Sequence, residues 1–145
     1  MLKALLVSIA LLTATPVLAQ TADDVNAQID NLLGPHEVYA TAIAAIQKAL
    51  AAHEVDRLAG YIAYGEPFKV NSEDVTIADE QELTAQFDTL FNDKVVSAVT
   101  GQGYEQLFVN ADGIMFGDGE LWITGVCDDD ACEFPFVTII AINNE

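Results

Sequence analysis

Cations are nearly missing from this chain. Its 145 residues hold five lysines and arginines against 23 aspartates and glutamates, with two histidines, two cysteines and one tryptophan. A surface so poor in positive charge repels phosphate backbones and anionic headgroups, which excludes nucleic acid and membrane surfaces as partners. His36 and His53 are far apart in sequence and are not grouped with Cys127 or Cys132, so no metal-ligand cluster is written in the chain. There is no Ser/His/Asp or Cys/His arrangement and no phosphate-cradling glycine loop. Catalytic residues, metals and cofactors are therefore all read as none. Disorder is excluded as well, because 52% of the residues are apolar.

The first residues read as an address. Met1-Leu2-Lys3 is a short positive segment, Ala4 to Leu12 is apolar, and Val17-Leu18-Ala19 offers small residues before Gln20. That is the pattern of a secretory signal peptide. Thr13, Thr15 and Pro16 interrupt the apolar run, which is too short for a membrane anchor. No cysteine follows the site, so a lipoprotein is not expected. The expectation is a signal peptide over 1–19 and one mature domain over 20–145, in the periplasm of a Gram-negative bacterium or secreted beyond it. Without Lys3 the mature chain has four basic and 23 acidic residues, a formal charge of −19. This acidity reads either as solubility or as a face for a basic partner.

Export also decides the cysteines. Four residues separate Cys127 from Cys132, a spacing that suits a structural disulfide across a hairpin loop in an oxidising compartment. A redox pair would more usually be Cys-x-x-Cys. The intervening Asp128-Asp129-Asp130 reads as a solvated tip, or as a docking point for a cationic partner.

The rest of the mature chain is patterned. Thr21 to Leu33 predicts a helix stopped by Gly34-Pro35. From His36, the residues Tyr39, Ile43, Ile46 and Leu50 recur at helical spacing beside Ala42 and Ala49. Glu54 to Ile62 predicts a short helix, whose Arg57 is expected to pair with Asp56 at the surface. Ile62 to Val70 suggests a strand interrupted at Gly65-Glu66-Pro67, followed by a polar turn over 71–74. Asp79 with Glu82 resembles a capping box. It opens a helix with Leu83, Phe87, Leu90 and Phe91 on one face, and this run, broken at Asn92-Asp93, continues through Val99. Glu105 to Asn143 then reads as a β-meander. Asp112-Gly113 and Asp118-Gly119 predict type I′ turns between its apolar runs. In the last run Phe134, Phe136, Ile140 and Ile142 are expected to point one way, with Val137, Ile139 and Ala141 pointing the other. A strand apolar on both sides is covered on both sides.

The Ala-rich helix through Ala42 to Ala49, the short helix through Asp56 and Leu58, and the two hairpins over 113–124 together resemble the NTF2-like (SnoaL-like, cystatin-like α+β) superfamily. The resemblance spans nearly the whole mature chain. It implies an α+β cone in which helices pack on a strongly curved, mainly antiparallel sheet. It also implies one of two sites: a pocket in the cone for a small apolar ligand, or a sheet face that meets a protein partner or forms a homodimer. Tyr64, Phe87, Phe91 and Trp122 are the candidate pocket residues. An isomerase, dehydratase or hydrolase working through Tyr64 with an acid such as Asp118 is the enzymatic alternative, although the inward Asp–His pairs of family enzymes are not legible here. Oxygens at Asn110, Asp112, Asp118 and Glu120 suggest Ca²⁺, but their spacing is not that of an EF-hand, and turn chemistry already explains both aspartates.

Overall fold

A computed structural model describes residues 19–127, 132 and 135–145. Residues 1–18, which are all but Ala19 of the expected signal peptide over 1–19, the Asp128-Asp129-Asp130 tip and Phe134 lie outside the described residues. The fold is α+β, with five α-helices and one open sheet of six strands among the described residues. The helices are α1 (Ala22–Leu32), α2 (His36–Ala52), α3 (Val55–Leu58), α4 (Glu80–Leu90) and α5 (Asp93–Thr100). The strands are β1 (Pro67–Val70), β2 (Glu73–Thr76), β3 (Phe108–Asn110), β4 (Gly113–Phe116), β5 (Leu121–Val126) and β6 (Phe136–Ile142). Their order across the sheet is β2-β1-β6-β5-β4-β3. Only β1 and β6 run parallel; each of the other neighbours is antiparallel.

Four of the five helices start where a side chain can satisfy a free amide; α3 has no such cap. Thr21 and Asp24 form a reciprocal capping box at α1. The Asp79 carboxylate accepts the Glu82 N–H at α4, and the Asn92 side chain accepts the Val95 N–H at α5. That second cap makes α4 and α5 separate helices. α2 has no side-chain cap of its own on Pro35; instead Asp30, on α1, accepts the His36 backbone N–H at 2.8 Å. His53 closes α2 in the left-handed conformation, φ 54°. Arg57 pairs with Glu54 at 2.8 Å rather than with Asp56.

Three local expectations change. The segment expected as a polar turn over 71–74 divides: Asn71-Ser72 is the tight turn of a hairpin and Glu73-Asp74 opens its second strand, which sequence reading missed. Asn71 and Ser72 are both left-handed (φ 48° and 72°) between paired Val70 and Glu73, as a type I′ turn requires. The meander turns are built differently from the prediction. Between β3 and β4 the loop is Ala111-Asp112, and the Asn110 side chain accepts the N–H groups of Asp112 and Gly113. Between β4 and β5 the loop takes four residues, with Gly117 and Gly119 at positive φ.

The third change concerns which way β6 faces. The register slips between Trp122 and Ile123, which pair with Ala141 and Ile139, leaving Ile140 as the extra residue. The bulge breaks strict alternation. Val137, Ile139 and Ile142 are buried, whereas Phe136 is 46% exposed and Ile140 and Ala141 are half-buried. The predicted split of β6 into two alternating sets therefore fails at its C-terminal half.

Three helices meet the sheet, with α3 against α2 and α4 against α3. α1 lies against β3, α2 against β6 and α5 against β5. Between helices and sheet sits one core that includes Tyr39, Ile43, Ile46, Leu83, Phe87, Phe91, Val95, Ile114, Phe116, Leu121, Ile123 and Ile139. Burying each large apolar side chain of this kind is worth about 1.5–3 kcal/mol. Backbone approach is tight in places. A Cβ on Gly125 would collide with the Tyr39 hydroxyl, and one on Gly113 with the Ile123 carbonyl. The C-terminus is fastened too. Asn144 exchanges bonds with the Asn71 side chain and donates to the carbonyls of Thr89 and Leu90 at the end of α4.

Candidate functional site

One face of the sheet lies away from α1, α2 and α5, and strand register shows what occupies it. Asp74 pairs with Lys69, Lys69 with Ala141, Ala141 with Trp122, Trp122 with Met115, and Met115 with Phe108. Register partners share a face, so these six residues form one row across all six strands. At the β2 edge the row is an ion pair, Lys69 to Asp74 at 2.8 Å. From Ala141 onward it is apolar, and it ends in Phe108, 51% exposed. The Phe108 and Trp122 rings meet edge on, with centroids 6.3 Å apart. Towards the disulfide hairpin a second pair, Val126 opposite Phe136, is 46% exposed on both strands. Between the two apolar patches lie Thr124 and Thr138, and the buried Thr138 hydroxyl donates to the Tyr61 carbonyl at 3.1 Å. Beside Trp122 the face sinks into an open depression of about 410 Å³.

The predicted pocket residues are not brought together. Phe87 and Phe91 touch each other, ring centroids 5.2 Å apart, and both are buried in the core under the helices. Trp122 alternates to the opposite face of the sheet. Tyr64 precedes β1, half-buried against the core; its hydroxyl is buried and has no hydrogen-bond partner among the described residues. Burial raises the Tyr64 phenol above its ordinary pKa, helped by the nearby carboxylates of Glu80 and Asp79. Asp118 is exposed in the β4–β5 turn, at the end of the sheet where β6 finishes, while Tyr64 lies before the start of its parallel neighbour β1. No acid–phenol pair is formed between them.

The other polar groups have structural duties. Among the described residues, the set whose ligand atoms lie close enough for a metal is Asp30, His36 and Glu37, within 4.8 Å of one another. The Asp30 carboxylate there already accepts both the backbone N–H of His36 and its ring nitrogen, and these bonds hold its pKa below the usual carboxylate value. Asn110 and Asp112 serve their turn, and Glu120 Oε2 accepts the Asp118 N–H at 2.7 Å. Cys127 and Cys132 are bonded, with Cα atoms 5.1 Å apart. Among the described residues no helix is long and apolar enough to cross a membrane.

Sequence reading grouped Trp122 with Phe87 and Phe91, from which the sheet separates it, and did not single out Phe108, Met115 and Phe136 as members of a site. The available signal was two-residue alternation: in β3, β4 and β5 the buried residues Val109, Ile114, Phe116, Leu121 and Ile123 fix the opposite parity as outward. No protein-family model, curated protein or solved structure matches this chain.

Proposed function

We propose that this is an exported, non-catalytic binding domain of NTF2-like type, and that its uncovered sheet face holds a protein partner. One observation carries the reading: the row from Ala141 through Trp122 and Met115 to Phe108 lies on the face opposite the buried Val109, Ile114, Phe116, Leu121 and Ile123. Phe108 is 51% exposed at its end and Met115, Trp122 and Ala141 are half-buried, and contiguous apolar surface that solvent reaches marks interaction sites in soluble proteins. The order of helices, hairpin, helices and meander supports the NTF2-like assignment. Of the two sites that the resemblance implies, the cone interior gains less support, because Phe87, Phe91 and Phe116 fill the space between helices and sheet. The enzymatic alternative lacks a formed Tyr64–Asp118 pair. A disulfide between Cys127 and Cys132 supports an oxidising compartment, the periplasm or the exterior.

The test is a photo-reactive phenylalanine analogue placed at Phe108 or Phe136 in the producing cells, with Thr41 and Thr84 on exposed helical surface as controls. A defined protein adduct from the two sheet positions, absent from the helical ones and lost on Trp122→Glu, is the expected result. Equal adducts from all four positions would overturn the reading. So would a small molecule retained in native mass spectrometry that contacts Phe87 and Phe91.

A further inference from the structure

The depression beside Trp122 has a chemistry of its own. Trp122, Ile140 and Ala141 give it apolar walls, and Asp112, Asn143 and Lys69 stand at its margins. Lys69 is already neutralised by Asp74 at 2.8 Å. Asp112 is not: it is exposed, and its side chain receives only a long bond, 3.3 Å, from the neutral Asn110 amide. The depression thus combines an aromatic wall, an aliphatic floor and one uncompensated carboxylate. Around it lies a domain with 23 acidic residues, in which Arg57 and Lys94, like Lys69, are each engaged by an acid. Electrostatic complementarity at such a surface selects a positive partner.

Resting on the reading of the sheet face as a partner surface, we propose that this depression receives an arginine or lysine side chain from an otherwise apolar segment of the partner protein. Trp122 supplies the aromatic wall for the cation and Asp112 its counter-ion. The aliphatic stem of the same side chain lies on Ile140 and Ala141. Flanking apolar residues of the segment then cover Met115 and Phe108 along the row. A second copy of this chain suits the face poorly. It would bring a formal charge of −19 against −19, and its one cation on the face, Lys69, is already held by Asp74.

Trp122 is the single tryptophan, so its fluorescence reads the site directly. The probes are three blocked peptides added to the intact, oxidised mature protein: Leu-Arg-Phe-Arg-Leu, the same peptide with citrulline for arginine, and the same with glutamate. The arginine peptide should shift Trp122 emission saturably and bind about tenfold tighter than the citrulline form, with added salt weakening it. The glutamate peptide should not bind. Asp112→Asn, whose turn is held independently by the Asn110 side chain, should cost about fivefold in affinity for the arginine peptide alone, and Asp112→Glu should restore it. Equal binding of the arginine and citrulline peptides would overturn the proposal, as would affinity indifferent to Asp112. Self-association through Trp122 in sedimentation would also overturn it and make a second copy the occupant. If no peptide binds while cross-links from Phe108 and Phe136 persist, this inference alone fails; if those cross-links are absent too, the sheet-face reading fails with it.

Discussion

Phe108 and Trp122 sit on strands that are not neighbours, yet their rings meet edge on across Met115, with centroids 6.3 Å apart. This contact lies on the outer face of the sheet, so the largest side chain of the meander contributes little to the core. Trp122→Ala, at a half-buried position, should therefore cost clearly less than Phe116→Ala, which is fully buried on the same sheet and should cost about 3–5 kcal/mol. Urea denaturation of the two variants beside the wild type gives both values. Equal losses would put Trp122 in the core.

Gly125 and Gly60 make a controlled pair. A Cβ at Gly125 meets the Tyr39 hydroxyl and Pro135, whereas one at Gly60 meets nothing within 4 Å. Gly125→Ala should lower stability by about 2 kcal/mol or more through overpacking. Gly60→Ala should be neutral or slightly stabilising. Thermal melts of both variants are sufficient to check this.

Asn144 is the fastening of the C-terminus. Its amide donates to two carbonyls at the end of α4 that no helical N–H can reach, and its backbone and side chain bond Asn71 in the β1–β2 turn. Asn144→Ala should cost about 1–3 kcal/mol. Amide exchange should rise first in α4 and the β1–β2 hairpin, with β4 and β5 unaffected.

Stability should fall at both ends of the pH scale. Asp24 is held below its ordinary value by the Thr21 backbone N–H and then its hydroxyl, and Asp30 by the His36 backbone N–H and then its ring. A folded pKa below the unfolded value, about 3.9, contributes stability that is present above that pH and lost as pH drops through the folded value. Asp30→Asn should flatten the acid limb of a melting series. Burial raises the phenols of Tyr39, Tyr64 and Tyr104. The neutral form is thus favoured in the fold, and its contribution is lost as pH rises above about 10. Tyrosinate absorbance should show late titration that becomes normal in denaturant.

The hairpin disulfide closes a short loop, so reducing Cys127–Cys132 should cost only about 2 kcal/mol. Intact mass of exported protein should lack residues 1–19 and be two protons lighter than the dithiol.

Much of this architecture is readable because local chemistry determines it. The Thr21 and Asp79 caps, the Tyr39–Leu50 stripe and the meander all stand where the sequence puts them. What escapes is non-local. The β1–β2 hairpin hides because Glu73-Asp74 looks like loop, although its strand is an edge where charge is tolerated. The β6 bulge hides because nothing in 136–142 marks Ile140 as unpaired. Trp122 is grouped with Phe87 and Phe91 for one reason: all three are large and apolar, and only the strand partners of Trp122 tell which side of the sheet it faces.

The sidedness of the sheet is tested most directly by mapping it with a soluble nitroxide added to isotope-labelled mature protein. Side-chain signals of Phe108, Met115, Trp122 and Phe136 should broaden strongly, while those of Phe87, Phe91 and Phe116 stay sharp. Broadening of Phe87 and Phe91 with a protected Trp122 would mean an open interior and a covered sheet, and would contradict the assignment of this face as the functional surface.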